Sequence, residues 1–319
     1  MPPASSVGKA TVKRVFVTGA TGFIGAALVR RLVADGYEVA ALIRPESNPW
    51  RLGDSLDKIR VIHGSLESPA TLEPVLADFR PDTVMHLAWH GVEKARRNDP
   101  AQVRTNVCSS VDLLLAAARA GCRTFLGAGS QAEYGPSREV LAEDSPTRPV
   151  SLYGAAKLAT YVLLSQLATQ HDMRFAWLRI FSVYGPQDDP GTLVSYVVNE
   201  LLSRRTPAVS KAEHLWDYLY VDDAASAFIA TGESQAAGIF NVASGHAKPL
   251  REMITKLRDA IDPALSIDFG AIPEPPSGAY PLRAAIANLE RVGWKPATAI
   301  DHAVSQTVAW YRHHSSSSL

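Results

Sequence analysis

One stretch near the N-terminus limits the fold more than any other part of this chain: an apolar run, a glycine-rich turn and a helical pattern follow one another directly. The run spans residues 12–18, the turn reads Gly19-Ala20-Thr21-Gly22-Phe23-Ile24-Gly25, and the helical pattern covers residues 26–34. Glycine at these positions permits a tight turn, a close approach of the main chain to a pyrophosphate, and close packing of helix on strand. The first amides of the helix would bind the phosphate. The pattern therefore predicts a strand, turn and helix that bind a dinucleotide.

Strand and helix signals alternate beyond this turn. Helical stretches long enough for crossover connections separate further buried strands, which are predicted at residues 38–43, 59–63, 82–88, 123–128 and 174–180. The predicted fold class is therefore α/β, a doubly wound parallel sheet whose ligand lies over the carboxyl ends of the strands.

The pattern changes after Gly185-Pro186. Short extended pieces and the Pro-rich stretch 272–278 then separate helices that are predicted near residues 192–203, 286–292 and 299–312. We expect this part to be a smaller α/β lobe that binds the substrate and does not fold independently. The predicted organisation is a disordered N-terminus at 1–11, a dinucleotide-binding domain at 12–185 to which segments around 217–245 return, the substrate lobe mainly at 186–312, and a disordered tail at 313–319.

The charge balance argues against several classes of partner. Lys plus Arg and Asp plus Glu number 32 each, so no net field favours nucleic acid or an acidic membrane surface. The apolar stretches are too short and too interrupted by charge for a transmembrane helix, and residues 1–11 lack the hydrophobic centre of a signal peptide. We therefore expect a cytoplasmic protein with neither nucleic-acid nor membrane partners.

Cysteine and histidine usage argues against a disulfide framework and against a metal. Cys108 and Cys122 suit a reducing compartment and are expected to be small core residues. The nine histidines are scattered along the chain and lack the Cys-His spacing that a metal site needs. No metal is predicted.

Tyr153 and Lys157 lie four residues apart, so a helix would place both side chains on one face. A phenol normally titrates near pH ~10, but a neighbouring ammonium stabilises the phenolate and brings its pKa toward the working range. This spacing is common when it stands alone. Together with the glycine turn it predicts a proton donor beside a bound dinucleotide.

These features resemble the extended short-chain dehydrogenase/reductase family, which includes the NAD-dependent epimerases and dehydratases. The glycine spacing and the Tyr153 and Lys157 pair carry the resemblance, which implies a Rossmann-type sheet. It covers residues 12–312 through further matching segments: Asp82–Ala88, Arg104–Val107, Gly129–Gly135, Leu178–Pro186, Asp217–Ala224, Phe240–Gly245 and Val292–Pro296. The forms of Gly129–Gly135 and of His86-Leu87-Ala88-Trp89 are most similar to the nucleotide-sugar 4-ketoreductases.

The resemblance implies hydride transfer at a carbonyl or carbinol carbon. Tyr153 would exchange the proton, Lys157 would lower the pKa of the phenol and hold the nicotinamide ribose, and Ser130 would hydrogen-bond the substrate oxygen. The implied cofactor-binding residues are Gly19, Thr21, Gly22, Phe23, Ile24, Gly25, Arg44, Ser65, Leu66, Leu87, Ala88, Trp89, Asn106, Tyr153 and Lys157. The implied substrate-binding residues are Trp89, His90, Ser130, Gln131, Ser182, Tyr184 and Trp216.

The end of the second predicted strand bears on the choice of cofactor. There an acidic side chain selects NAD(H), whereas an arginine accommodates the 2′-phosphate of NADP(H). The chain has Ile43-Arg44-Pro45-Glu46, so Arg44 favours NADP(H), while Glu46 leaves NAD(H) possible. A reductase takes up NADPH and releases NADP, so Arg44 also favours reduction over epimerisation.

We therefore expect an NADPH-dependent reductase of a nucleotide-linked 4-keto-6-deoxysugar. The alternatives are an NAD-dependent nucleotide-sugar epimerase and a reductase of a smaller, non-nucleotide carbonyl compound. A dehydratase is disfavoured because Gln131 and Ala132 stand where that class has a carboxylic acid and a carboxylate. A cofactor-binding regulator without chemistry has no need for the three catalytic residues together.

Four positions depart from the pattern of sugar-nucleotide enzymes. Ser65 stands where an aspartate usually faces the adenine, and Ser182 replaces an asparagine. Trp216 stands where an arginine usually binds the diphosphate, and Glu274 lies near the place of a second arginine. A guanidinium matches phosphate oxygens in bidentate geometry, so another cation would have to replace it. The candidates for that role are Arg179, Lys211 and Arg283.

Two helices near the catalytic tyrosine often form a four-helix dimer interface in this family. Residues 101–120 and 151–171 are apolar enough for that role, so a homodimer is expected. The same apolar faces would equally suit packing on the sheet.

Overall fold

Parallel strands dominate the computed structural model, which describes residues 13–274 and 280–314. The strands are β1 (Arg14–Thr18), β2 (Glu38–Ile43), β3 (Arg60–His63), β4 (Thr83–His86), β5 (Thr124–Ser130), β6 (Arg174–Ile180), β7 (Ser182–Tyr184), β8 (Ala208–Val209), β9 (Leu215–Trp216), β10 (Tyr218–Tyr220), β11 (Gly238–Val242), β12 (Lys248–Pro249) and β13 (Asp268–Phe269). Seven of them form one sheet in the order β11-β6-β5-β4-β1-β2-β3, with every neighbouring pair parallel. The predicted fold class is confirmed.

Helices cover both faces of this sheet and continue into the later part of the chain. They are α1 (Phe23–Ala34), α2 (Pro69–Phe79), α3 (Ser109–Arg119), α4 (Leu152–Gln170), α5 (Leu193–Leu202), α6 (Val221–Glu233), α7 (Leu250–Ile261), α8 (Ala287–Arg291) and α9 (Ile300–His314). Helix α9 runs two residues into the predicted disordered tail, which corrects that boundary; the other predicted disordered residues, 1–11 and 315–319, lie outside the described residues.

The alternation of side chains along each strand divides the core into two layers. Val15, Val17 and Leu126 point to the layer that α1 and α6 cover, whereas Phe16, Phe125 and Trp177 point to the layer that α2, α3 and α4 cover. Because both faces of the sheet are buried, the sequences of these strands are almost continuously hydrophobic and do not alternate with polar residues.

The later part of the chain has no separate hydrophobic core within the described residues. Helices α5, α7 and α9 pack together, and their buried side chains belong to the same cluster as α1 and α6. Three small two-stranded sheets complete this region: β7 with β10, β9 with β12, and β8 with β13. None of the described helices is long and apolar enough to cross a membrane.

Cys122 is buried as expected, but Cys108 is exposed, so the expectation of a core position was wrong for Cys108. Cys108 ends a π-helical segment, Gln102–Cys108, whose inward positions are occupied by Gln102, Asn106 and Val107. The side chain of Cys108 is therefore left on the outer face.

Strand β5 depends on glycine where it passes the indole of Trp177. A Cβ added at Gly127 would lie 2.3 Å from the Trp177 ring, and one added at Gly129 would lie 2.3 Å from its Nε1.

We expect Gly127→Ala to lower the free energy of unfolding by about 1–3 kcal/mol, because the fully buried Trp177 has no room to retreat. Urea denaturation measures the change. Gly191→Ala is the matched control, since an added Cβ there meets no atom within 4 Å among the described residues; equal stability losses in the two variants would contradict the packing argument.

Candidate active site

The glycine turn between β1 and α1 has the close main-chain contacts that the sequence predicts. Gly19 has a φ of +75°, and a Cβ there would lie 2.6 Å from the amide nitrogen of Ala88. A Cβ at Gly25 would lie 2.0 Å from the carbonyl oxygen of Gly19, so no other residue fits at either position. Gly22 precedes the first residue of α1 and makes no side-chain cap, which leaves the first amides of the helix free for an anion. Thr21, Phe23 and Ile24 are half-buried in the same turn.

The segment that follows β4 lies beside this turn. The amide of Leu87 donates to the carbonyl of Thr18 (3.1 Å), and the amide of Ala88 donates to the Thr18 hydroxyl (3.3 Å). The predicted cofactor residues Leu87, Ala88 and Trp89 therefore adjoin the glycine turn at the carboxyl edge of the sheet. This is the edge at which doubly wound sheets bind their ligands.

The three predicted catalytic residues meet at this same edge. Ser130 ends β5, while Tyr153 and Lys157 stand one turn apart near the start of α4, whose first turn is capped by the Ser151 hydroxyl (3.2 Å to the amide of Gly154). All three are buried, with exposed fractions of 8%, 7% and 3%. The Lys157 ammonium donates to the carbonyl of Ala128 (2.6 Å) and lies 3.6 Å from the centroid of the Trp89 ring.

Burial shifts the ionisation of both members of the Tyr153 and Lys157 pair. Desolvation lowers the pKa of Lys157 to about 7, and the carboxylate of Glu133 acts against that shift. Desolvation raises the pKa of Tyr153 above its usual value, while the hydrogen bond with Ser130 and the guanidinium of Arg97 act in the opposite direction. The sequence led us to expect a lowered tyrosine pKa, which is wrong for this structure because burial outweighs the neighbouring cation.

Trp89 covers Lys157 and is itself held in place. Its indole N–H donates to Oε1 of the buried Gln102 (2.8 Å), and the Trp89 and Tyr153 rings meet edge to face at 6.2 Å between centroids. Gln102 in turn donates to the carbonyl of Gly91 (2.8 Å). The π-helical segment Gln102–Cys108 thus fixes the loop after β4 and the ring that covers the lysine.

Asn106 was expected to bind the cofactor, but its amide is committed to the protein. Its Oδ1 accepts from the amide of His90 (2.7 Å), and its Nδ2 donates to the carbonyl of His90 (3.0 Å) and to Gln102 (3.0 Å). Asn106 therefore holds the loop that carries Trp89. The His90 side chain contacts Arg96 at 3.4 Å.

A buried ion pair lies beneath Ser130. Oε1 of Glu133 accepts from the amide of Ser130 (2.8 Å) and from the Trp177 indole (2.9 Å), and Oε2 accepts from Arg179 (2.7 Å). Arg179 is therefore not available to a phosphate, which leaves Lys211 and Arg283 as the candidate replacement cations. The sequence did carry a signal for Glu133, because Ser130-Gln131-Ala132-Glu133 has the spacing of a capping box, and both bonds of that box are present.

His86 was grouped with the scattered histidines, but it joins a buried chain of hydrogen bonds under the site. Its Nδ1 bonds the Thr18 hydroxyl (2.7 Å) and its Nε2 bonds the Ser110 hydroxyl (2.8 Å). Burial, together with the charge of Lys157, lowers the pKa of His86 to about 3, so the ring is neutral. A lone histidine in an apolar strand gives no sequence signal for such a role.

The predicted substrate residues of the later segments are linked to one another. The Trp216 indole donates to the Ser182 hydroxyl (2.8 Å), so the two departures from the sugar-nucleotide pattern are in direct contact. Tyr184 is buried and meets the rings of Tyr218 and Tyr220 edge to face, so its contact with a substrate stays a prediction. Gln131 opens the short 3-10 turn after Ser130 and is half-buried.

The remaining candidate cations are placed differently. Lys211 is exposed, and its carbonyl accepts from Arg251. Arg283 donates through one terminal nitrogen to the carbonyl of Arg138, and its Nε is buried with no hydrogen-bond partner among the described residues.

The predicted adenosine contacts lie at the ends of β2 and β3. Arg44 is exposed and pairs with Glu46 at 3.3 Å, so its charge is partly compensated. Ser65 closes a local turn by accepting from the amide of Glu67 (3.2 Å), and Leu66 packs against the second core layer. Within residues 13–274 and 280–314, no group of three or more His, Cys, Asp or Glu side chains is arranged to hold a metal ion.

A seven-stranded parallel sheet with a glycine turn, a serine, a tyrosine and a lysine at its carboxyl edge defines the class of extended short-chain dehydrogenase/reductase enzymes. The model of the NAD dependent epimerase/dehydratase family matches residues 15–243. The chain therefore belongs to the NAD dependent epimerase/dehydratase family.

Individual relatives agree with this assignment. The chain is 31% identical over 316 residues to a UDP-glucose 4-epimerase of Mycolicibacterium smegmatis, covering 95% of this chain and 99% of the relative. It is 29% identical over 320 residues to a dTDP-glucose 4,6-dehydratase of Streptomyces griseus, covering 95% of each. The crystal structure of a Thermus thermophilus UDP-glucose 4-epimerase in complex with NAD superposes with a TM-score of 0.82 at 27% identity, covering 94% of this chain and 99% of that one.

These names bear on two of the sequence-based expectations. They are names of epimerases and dehydratases, so the narrower assignment to the 4-ketoreductases finds no support among them. The Thermus structure contains NAD, so the expected preference for NADP finds none there either.

Burial of Lys157 makes a testable contribution to stability. The unfolded chain keeps the proton up to the ordinary lysine pKa of 10.5, whereas the folded chain releases it near 7. Because the unfolded chain then binds one proton more than the folded chain, the free energy of unfolding rises as the pH increases from about 7 to 10. We expect the advantage of Lys157→Met over the natural chain in free energy of unfolding to shrink across that range, as measured by urea denaturation at several pH values. A difference independent of pH would contradict the lowered pKa.

Proposed function

We propose that this protein is an NAD-dependent enzyme that epimerises C4 of a nucleotide-linked sugar. The observation that carries the proposal is the buried meeting of Ser130, Tyr153 and Lys157 beside a turn that only glycine can form. The relationship to the Mycolicibacterium epimerase over almost the whole of both chains supports the reaction class.

A nicotinamide dinucleotide fits the residues at the carboxyl edge. The close contacts of Gly19 and Gly25 bring the main chain up to the place of a pyrophosphate, and the free amides of α1 favour its charge. When bound, the nicotinamide would accept a hydride from C4 and return it to the opposite face of the sugar, so the reaction consumes no reductant. Lys157 would hold the ribose hydroxyls next to it.

The protein residues supply the proton transfers and the stabilisation of charge. Tyr153 takes the proton of the C4 hydroxyl as the carbonyl forms and gives it back as the hydride returns. Ser130 donates a hydrogen bond to the same oxygen, where negative charge develops. The ammonium of Lys157 stabilises the phenolate during the exchange. Burial of all three strengthens these interactions, because little water competes.

Two observations support NAD as the cofactor. The Thermus relative is described in complex with NAD. Glu46 pairs with Arg44, so the residue that would bind a 2′-phosphate already has an anionic partner.

A second candidate is NADPH-dependent reduction of a nucleotide-linked 4-keto-6-deoxysugar, or of a smaller carbonyl compound. Arg44 favours it, because its exposed guanidinium stands at the end of β2, where an arginine accommodates a 2′-phosphate. The neutral contact between Trp216 and Ser182, at positions where sugar-nucleotide enzymes place an arginine and an asparagine, favours the smaller substrate.

The two candidates separate in one assay of the purified protein. UDP-glucose or dTDP-glucose is incubated with NAD and the products are resolved chromatographically, while nucleotide 4-keto-6-deoxysugars are mixed with NADPH or NADH and followed at the nicotinamide absorbance band. Formation of the C4 epimer without net redox change establishes the epimerase. Oxidation of NADPH establishes the reductase and overturns the epimerase.

Tyr153→Phe tests the catalytic assignment in either case. We expect turnover to fall by about 10²–10⁴-fold, because the proton donor is lost, while the dinucleotide still binds. Tyr161→Phe is the matched control on the same helix; its ring stacks on Phe175 and lies in the second core layer. Turnover and dinucleotide affinity are measured for both variants. Full activity of Tyr153→Phe would exclude the proposed mechanism.

We also propose that the protein is a homodimer that associates through α4 and the π-helical segment. Val103, Val162 and Leu163 are each 45–50% exposed on these two elements, opposite the face of α4 that packs on the sheet. Helices at this place form the dimer interface in the family that the chain resembles.

Leu163→Glu tests this interface, since a buried unpaired carboxylate disfavours association. We expect the molar mass in solution, measured by light scattering, to fall from that of a dimer to that of a monomer. Val140→Glu is the control, because Val140 is equally exposed (47%) but lies outside both elements. A natural chain that is already monomeric would reject the proposal.

A further inference from the structure

Glu133 has contacts to the active site that the proposed reaction does not use. It is fully buried, and its three hydrogen bonds reach the Ser130 amide, the Trp177 indole and the Arg179 guanidinium. A lone buried carboxylate is costly, and Arg179 supplies the opposite charge at 2.7 Å.

The ion pair is oriented with its negative end toward the catalytic residues. Arg179 lies on the far side, stacked 4.4 Å from the Tyr134 ring centroid and donating to the carbonyl of Glu143 (3.4 Å). The carboxylate is on the side of Ser130, and its charge acts on both Lys157 and Tyr153. An anion close to two acids favours the protonated form of each.

The other groups around Lys157 do not supply a negative charge. Tyr153 lies on its own helix, Ser130 ends β5, and Trp89 presents a ring. His86 of β4 is neutral at physiological pH, and Arg97 is a cation stacked 5.4 Å from the Tyr153 ring centroid. Glu133 is the anion that acts on Lys157 in the described residues.

We propose that Glu133 is a positioning residue of the active site: its carboxylate fixes the main chain at Ser130 and directs its negative charge toward Lys157, with Arg179 as its counterion. The inference rests on the proposed function for its catalytic meaning, but the charge state of Lys157 is measurable without any substrate.

The test repeats the stability comparison of Lys157→Met in a chain that carries Glu133→Gln. In the natural background the difference between lysine and methionine begins to change near pH 7. In the Glu133→Gln background we expect that onset to move lower by about 1 pH unit, because the charge that acts against the lowered pKa of Lys157 is lost. Asp223→Asn is the matched control: Asp223 is a buried carboxylate that accepts main-chain bonds at 3.1 Å, outside the catalytic group.

A second variant covers the case in which Glu133→Gln does not fold. Glu133→Leu combined with Arg179→Leu removes both charges, and apolar replacement of a buried pair often preserves stability. The same downward shift of the onset is expected, together with a loss of turnover of about 10-fold or more at unchanged substrate KM. An onset that stays at the natural pH in the folded variants overturns the inference. A shifted onset in a protein that turns over no nucleotide sugar supports the inference and rejects the proposed function alone.

Discussion

A lysine ammonium buried at the carboxyl edge of a parallel sheet is the constraint that organises this structure. Lys157 gives up its hydration for one carbonyl, the indole rings of Trp89 and Trp177, and the field of one carboxylate. Each partner depends on a further layer. Gln102 and the π-helical segment hold the indole of Trp89, and Trp177 and Arg179 hold the carboxylate of Glu133. The polar network therefore extends well beyond Ser130, Tyr153 and Lys157.

The position of Glu133 also depends on the glycines of β5. Trp177 crosses β5 at Gly127 and Gly129, and no side chain fits at either position. The indole needs this space to reach Glu133, and Glu133 needs the indole to satisfy Oε1. The glycines that would otherwise weaken β5 therefore make room for Trp177, which packs against Glu133 beneath Ser130.

The substrate side of the site combines familiar geometry with unfamiliar chemistry. The neutral bond between Trp216 and Ser182 occupies positions where the family pattern places a guanidinium and an amide. Arg179, one of the three candidate replacements in the sequence, is paired with Glu133. Under the proposed function, a diphosphate would be recognised here by contacts other than the bidentate clamp of the family pattern.

Local sequence determined the sheet, the dinucleotide turn and the pairing of Tyr153 with Lys157. Each follows from spacing within one element or between neighbours: apolar runs of strand length, glycine every third residue, and two side chains one helical turn apart. The Ser130 and Glu133 capping box was also local, and it was readable in the motif. Tertiary structure alone decided the charge states and the partners. Asn106 hydrogen-bonds the loop after β4, Arg179 pairs with a buried carboxylate, and the pKa of Tyr153 is raised. These outcomes were not readable locally, because desolvation and hydrogen-bond partners come from segments distant in the chain.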